Sequence, residues 1–207
     1  MGDPRLQGLY AVTDGRLTGE PLFAAVQAAL AGGVRIVQYR DKSGETQRRH
    51  DEAARLARLC HEQGALLLIN DDTDLAQSVG ADGVHLGQSD TPLAVARDQL
   101  GPDRLIGVSC NNRLEWALAA QQAGADYVAF GRFFPSQTKS DAPQAELTLL
   151  EQARQQLDLP IAAIGGITPD NAPQLHAAGA DMLAVVHALF GQDDIEAAAR
   201  QLSRCFD

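Results

Sequence analysis

Eight short runs rich in branched and apolar residues recur along the 207-residue chain: LYAVT, IVQYR, LLLIN, GVHLG, LIGVSC, YVAFG, IAAIG and MLAVV. Each has the length of a strand. Between them lie alanine-rich segments with apolar residues at i, i+3 and i+4, the spacing of an amphipathic helix. PLFAAVQAALAGG (21–33), HDEAARLARLCHEQG (50–64) and RLEWALAAQQAG (113–124) are the clearest, and each closes on Gly, a common helix terminator. A weak internal repeat supports the alternation: AGGVRIVQ, VGADGVHL, AGADYVAF and AGADMLAV set a helix-ending Gly just before a strand at every second unit. Strict βα alternation with no GxGxxG element predicts a closed parallel (β/α)8 barrel, the TIM-barrel architecture, over an open doubly wound sheet. No low-complexity tract or linker interrupts it, so residues 1–207 are expected to form a single domain.

Composition narrows the function classes. A net charge of -10 makes nucleic acid and anionic membrane surfaces poor partners, because both need a basic footprint. No apolar run approaches the roughly 18 residues of a membrane span, and MGDPRLQGLYAVTD lacks the pattern of a secretory leader, so a cytoplasmic protein is expected. Cys60, Cys110 and Cys205 are odd in number and without CxxC spacing, which argues against a disulfide framework or a zinc site. Phosphorylated small molecules remain open as substrates, since a few cations at a cleft mouth can reverse the local potential. Low aromatic content marks no interface patch, and a homo-oligomer stays open.

In this fold the chemistry lies where strands end, at the C-terminal face. Both lysines of the chain, Lys42 and Lys139, fall there. In QYRDK, alternation sets Gln38, Arg40 and Lys42 on one side of the extended chain, where a diphosphate would pair the cations and leave Gln38 to orient an uncharged group. The plainer alternative is a salt bridge of Arg40 with Asp41 or a neighbouring carboxylate. Asn70, Asp71 and Asp90 come to neighbouring loops, and two carboxylates with waters and phosphate oxygens suit Mg2+. Helix capping accounts equally well for Asp71, Asp72 and Asp90 taken singly. Ser109 ends the fifth strand. The loop FGRFFPSQTKSDAP offers Ser136, Gln137, Thr138 and Lys139 as an anion cradle, and the Gly165–Gly166 pair with Val186 and His187 follows strands seven and eight, the usual phosphate site of the fold. His85 reads as a barrel-lining imidazole, and no Ser/His/Asp order or HExxH pattern appears.

Taken in order, VQYRDK, LINDD, ADGVHLGQSD, IGVS, YVAFGRFFPSQTK, AIGGI and AVVHAL resemble the thiamine-phosphate synthase family over nearly the whole chain. The resemblance implies a transferase that condenses 4-amino-2-methyl-5-(diphosphooxymethyl)pyrimidine with a (carboxy)thiazole ethyl phosphate, dissociatively, through a pyrimidinyl cation. It implies that Gln38, Tyr39, Arg40, Asp41, Lys42, Asn70, Ser109 and Lys139 form the pyrimidine diphosphate site, with Arg40, Lys42, Ser109 and Lys139 catalytic. It likewise implies Asp71 and Asp90 as Mg2+ ligands, and Ser136, Gln137, Thr138, Gly166, Val186 and His187 as the thiazole phosphate site. Departures from the family pattern stand at Asp72 (often Arg), Asn111 (a His nearby), Arg132 (Pro), Ser136 (Thr) and His187 (Ser). A thiazole tautomerase of related fold, a phosphosugar isomerase and a noncatalytic thiamine-phosphate-binding protein are the alternatives.

Overall fold

The computed structural model describes residues 3–135 and 143–206. Its eight strands are β1 (Gly8–Val12), β2 (Val34–Tyr39), β3 (Leu66–Asn70), β4 (Gly83–Leu86), β5 (Leu105–Asn111), β6 (Tyr127–Gly131), β7 (Ile161–Ile164) and β8 (Met182–Val185). All pair in parallel with their sequence neighbours, and β1 closes on β8 to complete the barrel. Every expected strand run falls on one of these. The intervening helices are α1 (Gly19–Ala31), α2 (Thr46–Glu62), α3 (Thr73–Val79), α4 (Leu93–Leu100), α5 (Leu114–Gln122), α6 (Leu147–Gln156) and α7 (Ala172–Ala177).

Two departures from the expected pattern have physical causes. Helix α2 starts four residues before the segment 50–64, because its polar first turn is anchored by ion pairs, Arg48–Asp41 and Arg49–Asp72, both at 2.9 Å, in place of apolar packing. After β8 the chain makes a single-turn α8 (His187–Phe190) before the longer α9 (Ile195–Ser203), so the eighth unit carries two helices. Helix α9 lies against the end of α1 so closely that a Cβ at Gly32 would meet the Ala199 Cβ at 2.4 Å.

Period-2 alternation sorts the side chains into two apolar layers. Leu9, Val37, Leu67, Ile69, Val84, Ile106, Val128 and Leu183 face the helices. Tyr10, Ile36, Leu66, Leu68, Leu105, Tyr127 and Met182 fill the lumen, which is a packed core, as expected of this fold. Among the described residues no helix is long and apolar enough to cross a membrane.

The internal repeat has a structural meaning at the N-terminal end of the barrel. Asp82, Asp126 and Asp181, each just before an even-numbered strand, take the backbone N–H of Leu67, Ile106 and Ile161 at 2.7–2.8 Å. Each also donates its own N–H to the carbonyl of the same partner at 2.8–2.9 Å. His61, Arg97 and Arg154 respectively pair with the three carboxylates. The fourth copy has Val34 where the others have Asp, after a Gly33 held at φ 103° against Ser203.

Candidate active site

At the C-terminal face the strand ends surround one cavity of about 980 Å³. The end of β2 and the segment that follows it deliver Gln38, Arg40 and Lys42 to it, while the intervening Tyr39 and Asp41 do not line it. Tyr39 donates to Glu52 at 2.6 Å on α2, and Asp41 takes the Ser43 N–H and pairs with Arg48. The Tyr39 and Asp41 side chains, expected in the pyrimidine diphosphate site, are thus engaged with Glu52, Ser43 and Arg48, and the carboxylate that feels the Arg40 charge is Asp14. The alternation that selects residues 38, 40 and 42 necessarily excludes 39 and 41. Arg40 is held by its backbone N–H, donated to Thr13 Oγ1 at 2.8 Å.

Asn70, Asp71 and Asp90 converge on the same wall. Lys42 Nζ lies 3.1 Å from Asp71 Oδ2, and Asn70 donates its side-chain amide to that oxygen at 2.6 Å. Asp71 sits at φ 64°, a left-handed conformation uncommon outside Gly that recurs at functional sites. Burial, and then the adjacent Asp71 carboxyl, push Asp90 above the ordinary carboxylate range. The capping alternatives separate cleanly. Asp72 is the α3 cap, taking the Leu75 N–H at 2.9 Å, whereas Asp71 is not. Pro92 caps α4, and Asp90 instead turns back to accept the Gly87 N–H at 2.7 Å.

Two acidic groups crowded beside one ammonium form a donor set that fits a hard divalent cation, with the shared like charge as the feature such an ion would relieve. Among the described residues no cluster of three or more His, Cys, Asp or Glu is arranged for a metal.

On the opposite wall, Gly165, Gly166, Val186 and His187 line the cavity. The glycines are required by the chain itself. Both have positive φ, and a Cβ at Gly165 or Gly166 would meet Arg132 Cβ at 2.3 Å or the Pro135 carbonyl at 2.4 Å. The His187 ring folds back over its own turn, where a Cβ at Gly191 would lie 2.3 Å from Nδ1. The expected contacts Ser136, Gln137, Thr138 and Lys139 lie outside the described residues.

Several lining residues escape sequence reasoning. Tyr10, Thr13, Gln88, Asn111 and Arg132 all reach the cavity. Tyr10 is legible in hindsight, because alternation along LYAV places it with the lumen set. Asn111, at φ 49°, carries no local signal beyond its place as the last residue of β5. Ser109, at the end of β5, is bonded to His85 Nε2 at 2.8 Å.

The family model for thiamine monophosphate synthase matches residues 9–189. The chain belongs to that family. Among curated relatives, the thiamine-phosphate synthase of Alcanivorax borkumensis is 58% identical over 206 residues, covering 98% of this chain and 95% of that one. The thiamine-phosphate synthase of Thioalkalivibrio sulfidiphilus is 53% identical over 204 residues, covering 98% and 97%. Among solved structures, the thiamine phosphate pyrophosphorylase of Pyrococcus furiosus superposes with a TM-score of 0.89 at 36% identity, covering 98% and 97%. The 3-hexulose-6-phosphate synthase of Salmonella typhimurium, at 16% identity and a TM-score of 0.72, shares the fold alone. Family membership thus agrees with the resemblance carried by the seven sequence motifs.

Proposed function

We propose that this chain, as one catalytic domain over 1–207, acts in the cytoplasm as a thiamine-phosphate synthase on two small phosphorylated substrates. It would join the methylene carbon of the pyrimidine diphosphate to the thiazole nitrogen and release diphosphate. The observation that carries this reading is the convergence of Lys42, Asp71 and Asp90 on the cavity that also holds Arg40 and the Gly165–Gly166 wall.

A dissociative substitution asks little of a general base. The methylene C–O bond breaks with both electrons going to diphosphate, the pyrimidine ring delocalises the cation, and the thiazole nitrogen supplies the new bonding pair. The protein must stabilise charge on the leaving group and hold the acceptor in line. Arg40 and Lys42, joined by Lys139, are the cations for the departing diphosphate. Gln38, Asn70 and Ser109 orient the ring. Gly166, Val186 and His187, with Ser136, Gln137 and Thr138, hold the thiazole phosphate, His187 through its backbone N–H. Asp71 and Asp90 would hold Mg2+, which supplies charge neutralisation to the diphosphate oxygens when bound. A thiazole tautomerase has no use for the Lys42, Asp71 and Asp90 set, and a sensor has no need of it.

The test is direct: purified protein with Mg2+, pyrimidine diphosphate and thiazole phosphate should form thiamine phosphate, and EDTA should abolish it. Lys42→Ala and Asp90→Ala should each lose about 100-fold or more in kcat, as removal of a group that stabilises developing charge does elsewhere, with the circular dichroism spectrum retained. Tautomerised thiazole without coupled product would refute the synthase reading.

A further inference from the structure

Beneath the cation cluster one hydrogen-bonded chain crosses the lumen. Gln38 Nε2 donates to the Tyr10 hydroxyl at 2.5 Å, and the Tyr10 and Tyr127 hydroxyls are 2.8 Å apart. Tyr127 then meets His85 Nδ1 at 2.8 Å, and His85 Nε2 meets Ser109 Oγ at 2.8 Å. Its members come from β2, β1, β6, β4 and β5. The path is built into the packing. Tyr127 occupies space that only Gly107 leaves open, since a Cβ there would lie 2.0 Å from Tyr127 Cζ, and its ring packs on those of Tyr10 and His85. Gln38, Tyr10, His85 and Ser109 reach the cavity, whereas Tyr127 does not line it. Burial pushes the Tyr10 phenol up to about 12 and the Tyr127 phenol well above its usual value, so both keep their protons at neutral pH.

A phenol, a serine hydroxyl and a neutral imidazole each have one proton to donate. In a chain of such groups every member gives to one neighbour and takes from the other, so the sense of the whole chain is set at once. With the Gln38 amide donating to Tyr10, the sense runs through Tyr10 and Tyr127 to His85 Nδ1. In the neutral form of His85 the imidazole proton is thereby left on Nε2, to be donated to Ser109. The Ser109 proton then has to be given outward, while Gln38 keeps its carbonyl oxygen as an acceptor.

We propose that this chain sets the hydrogen-bonding character of the ring pocket, making Ser109 a donor and Gln38 an acceptor and so selecting a 4-aminopyrimidine over its 4-oxo counterpart. The amino compound offers a donor amino group and acceptor ring nitrogens, and the oxo compound reverses that pairing. A site committed to one pairing rejects the other strongly, because its own polar groups are left unmet. Tyr10, Tyr127 and His85 are then positioning residues. The inference rests on the assignment of Gln38 and Ser109 to the pyrimidine.

The test uses the full chain labelled with 15N-histidine, titrated with the 4-aminopyrimidine diphosphate and its 4-oxo analogue in the absence of thiazole phosphate. The wild type should show His85, identified by its loss in His85→Gln, as the Nε2–H tautomer, and should favour the amino compound by about 100-fold or more. Tyr127→Phe keeps the ring and cuts the chain without touching the ligand. His85 should then become a tautomer mixture, and the preference should fall by about ten-fold or more. A Tyr127→Phe protein that keeps the single tautomer, or the full preference, overturns the proposal while leaving the pocket assignment intact. Wild-type protein that binds neither pyrimidine overturns the pocket assignment and the proposal with it. Should Tyr127→Phe fail to melt cooperatively, Tyr10→Phe cuts the same chain one link further on and is read the same way.

Discussion

At the scale of single residues, β2 shows how one strand serves two environments. Gln38, Arg40 and Lys42 address the cavity, while Tyr39 hands its hydroxyl to Glu52, a buried carboxylate that also takes the N–H of Gly19 at the start of α1 at 2.7 Å. Tyr39 is accordingly held above the ordinary phenol range, first by burial and then by its bond to Glu52. Glu52→Ala would leave both donors unmet, so a loss of about 3 kcal/mol in unfolding free energy is expected, with Glu52→Gln losing less; urea titration distinguishes them. The inward set 38, 40 and 42 is legible from alternation alone. The separation of Asp71 from Asp72 is not, because two adjacent aspartates before a helix present the same capping signal, and only the φ of 64° at Asp71 turns the first toward Lys42.

At the scale of elements, all eight strands are readable because each is a mostly apolar run buried along most of its length, the mark of a parallel sheet. Helix starts are less so: the first turn of α2 is held by charge and leaves no apolar trace. The repeat that ties Asp82, Asp126 and Asp181 to the preceding odd strands lies at the end of the barrel away from the cavity. Asp126→Ala should therefore cost about 1–3 kcal/mol of stability, through the lost Ile106 bond and Arg97 pair, with kcat and KM unchanged. Thermal melts and steady-state kinetics on the same preparation check both halves. A fall in kcat would mean that the two ends of the barrel are coupled.

At the scale of the whole molecule, ligand and proton linkage give two expectations. Pyrimidine diphosphate with Mg2+ at about 100 times its Kd should stabilise the fold by about 2.7 kcal/mol. A chain of this size gains about 2–4 °C in Tm per kcal/mol, and the shift should shrink when EDTA is added. The second concerns alkaline pH. Burial raises the thiols of Cys60 and Cys110 and the phenol of Tyr10 to about 12, from ordinary values of 9.0 and 10.0. Above pH 9 the unfolded chain loses protons that the folded chain keeps, so stability is complete below that point and declines up to about pH 12. The guanidinium midpoint should fall steadily over that interval, and a flat profile would contradict the burial of these groups.

The closure of β1 on β8, with α9 seated against α1 at Gly32, leaves the ring without a privileged starting point. Linking the present termini and cutting the loop between α4 and β5, which lies at the end of the barrel away from the cavity, would keep every strand neighbour and every loop of the cavity rim. Such a circular permutant should still assemble the cavity, making the order of synthesis separable from the geometry that performs the chemistry.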